Sequence, residues 1–317
     1  MVLICGGLDC SIVRHLFFLL CFFETATQAA NPPRFKVATY NVENYLITPS
    51  GTRSIKPESH RVKVVESIVV IQPDILVLEE IGRTNSLFEL KDRLKKAGLD
   101  LPHWEHISGY DTNIFVALLS RFPLIARRPH TNLSFLLEGR RFRTSRGFLE
   151  VDLEPFPGYQ MTLFAAHLKS KRVIAHAEEA ALREQESILL RRLIDQRIQA
   201  FPAANILVCG DFNDTKDSPA LRTLLARQSR SPLIDTRPVE RNGDQAPSEK
   251  SRWEPRHVAW THYYGKEDTY GRLDYILVNA AMGHEWRREG SYIPIIPDWG
   301  MGSDHRPIVC EFEAIDQ

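Results

Sequence analysis

Six short clusters of acid, amide and imidazole side chains punctuate this chain, each set against an apolar run. They are Asn41-Val42-Glu43-Asn44, Glu79-Glu80, His167-Leu168-Lys169, Gly210-Asp211-Phe212-Asn213-Asp214, Arg272-Leu273-Asp274-Tyr275 and Gly302-Ser303-Asp304-His305. Burying such groups is costly unless they are paired or hold a metal. One polar strand end would be unremarkable, but six imply a rim on which several strand ends converge. The donors are carboxylates and amides with few imidazoles and no thiolates, a set that suits Mg²⁺ or Mn²⁺. A Zn²⁺ hydrolase is disfavoured because the chain lacks imidazole-rich ligand spacing. An Asp beside a His can orient the ring and keep it basic. Together these groups predict metal-assisted hydrolysis of a phosphate ester.

The elements that must carry these groups are legible in the spacing of apolar residues. Residues 35–40, 74–79 and 204–209 read as buried strands, and 103–108 with 113–120 as a strand pair. Residues 147–153 and 160–167 form a second pair across Pro155-Phe156-Pro157-Gly158. Strands at 273–278 and 307–312 close the chain. Ser59 is expected to cap a helix with Val62, Val65, Ile68 and Val69 on one face, ended by Pro73. Further helices are expected at 87–97, 178–199 and 218–225, the last with Ser218 as N-cap and Pro219 at the first helical position. Residues 226–257 read as a long polar loop. With 317 residues, 43% hydrophobic and 25% charged, the chain has ordinary globular composition. Its 40 basic and 40 acidic residues balance, so bulk charge cannot attract nucleic acid and any polyanion site must be a local patch. The alternation of strands and helices predicts an α/β domain of two packed sheets with helices outside.

The order of the six clusters resembles that of the endonuclease/exonuclease/phosphatase superfamily, the group that includes DNase I, apurinic endonucleases, neutral sphingomyelinases and inositol-polyphosphate 5-phosphatases. The resemblance runs from about residue 35 to 313. It implies a four-layer α/β sandwich, two mixed β-sheets flanked by helices, with the site at one end of both sheets. It implies that Glu80 is the principal metal ligand, with Glu79 where a glutamine is more usual. Alternation along a strand sends these two side chains to opposite faces, so only one should reach the ion. Asn41 and Asp304 match positions that support the metal and the scissile phosphate, and Glu43 a looser acidic position. His305 matches the catalytic histidine and Asp274 its orienting partner. Asp211 and Asn213 match the pair that activates water and contacts the phosphate, with either Asp211 or His305 taking the water proton. His167 matches a histidine that contacts a phosphate oxygen or assists the leaving group.

Substrate signals are thinner. Residues 121–146 hold seven arginines against one acid, Glu138, a patch able to grip a phosphate backbone or simply a solvated loop. Lys169 and Arg146 stand nearest the strand ends and are the expected substrate-binding residues. Trp253, Trp260, Tyr263 and Tyr264 are placed either to stack on bases or to pack, with packing favoured. His176, His257 and His262 read as surface or loop histidines. The leading expectation is a Mg²⁺- or Mn²⁺-dependent phosphodiesterase acting on nucleic acid. A sphingomyelinase-like or inositol-phosphate hydrolase is the alternative, although Phe135-Leu136-Leu137 is the sole candidate for a membrane-contacting loop. A non-catalytic binding protein on the same fold ranks last, because the key groups are all present. Arg14-His15, the apolar run 16–23 and the small residues before Asn31 have the pattern of an export signal over residues 1–30. That predicts a secreted or periplasmic domain over 31–317, or one retained by an N-terminal anchor. Cys209 and Cys310 lie in apolar runs and read as buried, unpaired hydrophobes.

Overall fold

The computed structural model describes residues 32–241 and 257–315. The expected export signal and Trp253 therefore lie outside the described residues. In chain order the elements are β1 (Arg34–Tyr45), α1 (Glu58–Ile71), β2 (Ile75–Ile81), α2 (Thr84–Lys96), β3 (His103–Ile107), β4 (Phe115–Ser120), β5 (Leu124–Arg127), β6 (Ser134–Leu137), β7 (Arg140–Arg143), β8 (Leu149–Phe156) and β9 (Tyr159–Ala165). They continue with α3 (Glu179–Ala200), β10 (Asn205–Asp211), α4 (Pro219–Leu225), β11 (Ile234–Asp235), β12 (Val239–Glu240), β13 (His262–Tyr264), β14 (Thr269–Gly271), β15 (Asp274–Val278), α5 (Ala280–Glu285), β16 (Trp286–Ile293) and β17 (Ile308–Glu313).

Two mixed sheets result. One has seven strands in the order β12-β16-β17-β1-β2-β4-β3, the other six in the order β11-β15-β10-β9-β8-β5. Strand alternation sorts their apolar residues into three layers of core. Val37, Ile75, Val77, Leu163, Leu207, Cys209, Ile276 and Cys310 pack between the sheets. Ala38, Tyr40, Leu76 and Leu78 face the other way and meet Val64, Ile68 and Ile71 of α1 and Leu87, Leu90 and Leu94 of α2. Phe164, Ile206, Val208 and Leu277 bury Leu190 and Ile194 of α3 and Leu221 and Leu224 of α4. Helix, sheet, sheet, helix is the four-layer sandwich that the motif order implies.

Some local expectations shift. Pro57, not Ser59, occupies the N-cap of α1, and Val62 is exposed while Val64 takes its place on the buried face. Ser218 caps α4 as expected, its hydroxyl accepting from the Leu221 N–H. Cys209 and Cys310 are buried and free. The hairpin β6–β7 inside the arginine-rich segment, the β13–β14 hairpin and α5 are elements beyond those the apolar spacing marks.

Gly210 sits at φ +136°, and a Cβ built there would lie 2.0 Å from the carbonyl oxygen of Ala166. Backbone cannot yield as a side chain can, so Gly210→Ala is expected to destabilise the fold by about 3 kcal/mol or more. A denaturant midpoint within experimental scatter of the parent would contradict this.

Candidate active site

The inward-facing rows of five strands do not end in apolar residues. Val37 and Thr39 lead to Asn41, Ile75 and Val77 to Glu79, Leu163 and Ala165 to His167, Leu207 and Cys209 to Asp211, and Val278 and Ile276 to Asp274. Asn41, Glu79, Asp211 and Asp274 are the next inward positions on their strands, and His167 continues the row two residues past the end of β9, so the two-residue period that builds the core also aims these groups into one space. All five are buried, none more than 2% exposed. Strand pairing sets their register: Asn41 lies opposite Glu79, and Asp211 opposite Asp274.

Asp211 is the hub. Its Oδ2 accepts from Asn41 Nδ2 at 3.0 Å and Asn213 Nδ2 at 3.3 Å, and its Oδ1 from the Asn213 N–H at 2.8 Å. His167 Nε2 lies 3.4 Å and His305 Nε2 3.8 Å from the same Oδ2. The other nitrogen of His305, Nδ1, donates to Asp274 Oδ2 at 2.8 Å. Ser303 locks the loop beneath: its hydroxyl donates to the Asn41 carbonyl at 2.7 Å and accepts the His305 N–H at 3.0 Å.

Burial pushes the Asp211 carboxyl up to about 6, against the pull of His305, with Asp274 adding to the rise. Burial alone would lower the His305 imidazole, but Asp274 and Asp211 outweigh it and hold the ring well above its ordinary value. His167 is driven well below its ordinary value by burial, then by Arg146 and His305. At neutral pH the cluster therefore holds an anionic Asp211, a cationic His305 and a neutral His167.

Glu79 and Glu80 part company as alternation requires. Glu79 points between the sheets, fully buried, and accepts from Thr39 Oγ1 at 2.7 Å. Burial raises its carboxyl well above the ordinary range, so it stays protonated and neutral. Glu80 sits in a bulge of β2 at φ 60°, a left-handed conformation that costs a non-glycine residue about 1–2 kcal/mol. Glu43 at φ 41°, Asn44 at φ 52° and Asn213 at φ 53° share that conformation. Such strain persists where surrounding contacts over-determine it, and it gathers at functional sites. Here the Asn44 N–H donates to Glu80 Oε2 at 3.1 Å and the Glu43 N–H to Asn41 Oδ1 at 3.0 Å.

The bulge brings Glu80 into an acidic corner with Glu43 and Asp304. Burial raises the Glu43 carboxyl, and repulsion from Asp304 and Glu80 adds to the rise. Lys56 is the cation that meets this corner, 3.5 Å from Glu43 Oε2. Glu43, Glu80 and Asp304 gather hard oxygen donors in one corner, a donor set that a divalent cation fits. Asp304 also belongs to a second group, with His262 and His305, whose ligand atoms lie within 4.8 Å of one another.

The sequence-predicted residues Asn41, His167, Asp211, Asn213, Asp274 and His305 thus meet in one cluster, with Glu80 and Asp304 in the adjoining corner. Lys169 and Arg146 line a cavity immediately beyond His167. His262 is a correction. It reads in sequence as a loop residue, but its ring centroid lies 4.5 Å from that of His305, and its Nε2 3.6 Å from Asp304 Oδ2. His176 and His257 are exposed, as expected. Thr261 carries no signal in the sequence, yet its buried hydroxyl accepts the Leu273 N–H at 3.0 Å and the Asp274 N–H at 3.2 Å. Trp260 packs on Tyr270 and Trp299, while Tyr264 stacks on His262 at the edge of an open groove that Asn213 and Asp304 also line. The aromatic residues therefore divide between packing and groove wall.

Comparison with known proteins places the fold and the family. Nocturnin of Xenopus laevis is 24% identical over 322 aligned residues, covering 92% of this chain and 76% of that protein. Human nocturnin is 24% identical over 318 residues, covering 93% of this chain and 68% of that one. Among solved structures, the human nocturnin catalytic domain with bound sulfate anion superposes with TM-score 0.62 at 19% identity, over 89% of this chain and 95% of that one. A truncated Caenorhabditis elegans TDP2 gives 0.58 at 15% identity, over 89% and 98%. The model of the Endonuclease/Exonuclease/phosphatase family matches residues 38–305. That span opens on the strand bearing Asn41 and closes on the histidine that Asp274 orients, so the chain belongs to the endonuclease/exonuclease/phosphatase family.

Proposed function

We propose that this protein is a Mg²⁺-dependent phosphodiesterase that cleaves nucleic acid or nucleotide phosphate esters by in-line attack of water. The observation that carries this reading is the Asp211 carboxylate, met at once by Asn41, Asn213, His167 and His305, with Asp274 behind His305. Asp211 is ionised at neutral pH and stands at the centre of the cluster, so we assign it the water proton. His305 is already cationic and serves instead as a donor to a phosphoryl oxygen, as do Asn213 and His167. Asp274 keeps the His305 ring turned with Nε2 toward the substrate. Glu80 and Asp304, with Asn41 and Glu43 beside them, would hold the divalent cation, which when bound neutralises charge on the phosphoryl and leaving oxygens. The human nocturnin catalytic domain, similar in fold, has been solved with a bound sulfate anion, which is compatible with a phosphate-binding reading.

The deciding experiment incubates the purified protein with plasmid DNA, single-stranded DNA, RNA, sphingomyelin and inositol phosphates, each with Mg²⁺, Mn²⁺ or chelator. Nucleic acid should be cleaved, activity should vanish with chelator, and Mg²⁺ or Mn²⁺ should restore it. Turnover confined to the lipid or to inositol phosphates would end the nucleic-acid reading. The two glutamates separate the metal corner from the buried core. Glu80→Gln is expected to lower activity at limiting Mg²⁺ by roughly 10- to 100-fold, recovering in part at high Mg²⁺. Glu79→Gln, which keeps a neutral group in a neutral place, should stay within a few-fold of the parent; equal losses in a metal titration would reverse the assignment.

Among the described residues no helix is long and apolar enough to cross a membrane. We read residues 1–30 as an export signal that directs the domain over 31–317 to a secreted or periplasmic location. Mass determination of the mature N-terminus, expected at Asn31 or its neighbour, tests this.

A further inference from the structure

We infer that the cationic cavity on the His167 side of the catalytic cluster binds a second phosphate group of the substrate. The preferred substrate is then a nucleotide or oligonucleotide bearing at least two phosphates, and a lone phosphodiester is a poor one. This inference rests on the phosphodiesterase reading above and adds where the rest of the substrate lies.

The cavity has a volume of about 620 Å³ and is framed by the β6–β7 hairpin, the turn at Tyr110, the loop after β9 and the side of α3. Arg53, Arg143, Arg146, Lys169 and Arg172 line it. Two carboxylates share the wall, Asp111 and Glu186, and neither balances this charge. Glu186 is turned into the backbone, accepting the Ser145 and Lys169 N–H groups, both at 2.6 Å. Asp111 comes no closer to Arg146 than 3.7 Å. The Lys169 ammonium meets neutral carbonyls, those of Ser170 at 2.9 Å and Arg172 at 2.8 Å. Among the described residues no carboxylate pairs with Arg143 or Arg172. Most telling is Arg146, which is 6% exposed and whose buried Nε has no hydrogen-bond partner. Its one carboxylate partner, Asp111, stands at 3.7 Å, beyond hydrogen-bond reach; a buried guanidinium so loosely paired is costly, and an anion arriving from outside can accept the N–H that the protein leaves unmet. Guanidinium groups match phosphate in shape as well as charge.

One carbonyl joins this cavity to the chemistry. Leu168 O accepts from Arg146 Nη1 at 3.3 Å and from Asn213 Nδ2 at 3.1 Å. The wall between the cavity and the Asp211 cluster is thus the segment His167-Leu168-Lys169. A phosphate held by Arg146 and Arg143 stands beside the scissile one along the same substrate. The Tyr110 ring, 69% exposed with the Arg143 guanidinium 5.8 Å from its centroid, offers a flat apolar face next to it.

The test measures binding and turnover of three thymidine dinucleotides: dTpdT, its 5′-phosphorylated form and its 3′-phosphorylated form, with inositol 1,4-bisphosphate as a further ligand. Calorimetry without metal gives affinity, and steady-state assays with Mg²⁺ give kcat and KM. One phosphorylated dinucleotide is expected to bind about tenfold more tightly than dTpdT, and to show a correspondingly lower KM at similar kcat. Arg143→Ala should abolish that advantage, and Arg143→Lys should keep part of it. Equal affinity for all three dinucleotides, or an advantage that survives Arg143→Ala, overturns the inference while cleavage of dTpdT leaves the phosphodiesterase reading standing. A phosphate-dependent affinity lost in Arg143→Ala, with no dinucleotide cleaved, upholds the anion site and rejects the activity. Inositol 1,4-bisphosphate binding more tightly than either phosphorylated dinucleotide overturns the nucleotide assignment.

Discussion

Asp211→Asn is expected to lower kcat by about 10³-fold or more while the protein stays folded. The amide is nearly isosteric, and it removes a buried charge instead of creating one, so the sandwich should tolerate it. What it loses is the basic oxygen on which Asn41, Asn213, His167 and His305 converge. The pH profile supplies the second half of the prediction. The Asp211 carboxyl is raised to about 6, so it is protonated and idle below that pH and ionised above it. The rate of the parent enzyme should therefore climb as pH rises through about 6, and the residual rate of Asp211→Asn should lack that limb. A variant that keeps both the limb and the rate would remove Asp211 from the role of base. Near-ultraviolet circular dichroism and a thermal melt establish that the variant is folded.

The second large effect concerns a residue one step back from the reacting atoms. Asp274 raises the His305 ring well above its ordinary value, against burial and together with Asp211. In the parent, His305 therefore stays cationic through neutral pH, and activity should fall only on the alkaline side, where the ring loses its proton. Asp274→Asn withdraws the larger of the two favourable charges. The ring then deprotonates at lower pH, so the alkaline limb should move down and kcat at neutral pH should fall by about 10²-fold. KM should change little, because Asp274 positions His305 and touches no substrate. His305→Ala should abolish the limb altogether. An alkaline limb that stays in place in Asp274→Asn would mean that another group titrates there.

Much of this site is legible in the sequence because one periodicity serves two purposes. Val37-Thr39-Asn41 or Leu207-Cys209-Asp211 can be read as an inward row whose last member is polar, and strand residues of this kind cannot point elsewhere without leaving the core. The same rule separates Glu79 from Glu80. It fails to foresee that Glu80 turns through a bulge, since the bulge depends on how β2 pairs with β4. His262 and Thr261 were hidden for a related reason. They lie at the start of a short hairpin pinned to the loop of His305 by long-range backbone contacts, such as the Tyr263 N–H to the Asp304 carbonyl at 3.0 Å and the Arg306 N–H to the Thr261 carbonyl at 2.6 Å. A loop held by partners distant in sequence carries no local period. The arginines of residues 121–146 show the same limit. Their number is plain in the sequence, yet Arg128 joins an ion network with Glu150 and Asp152 of β8, while Arg143 and Arg146 face an open cavity.

The polar tips that finish the inward strand rows leave the enzyme little room for compromise. Asn41, Asp211 and Asp274 are cemented into the same masonry as the apolar centre. A descendant of this protein that acquires a new substrate has to do so by reshaping the hairpins and loops at the mouth, as a lock is rekeyed at its pins while the bolt is left alone.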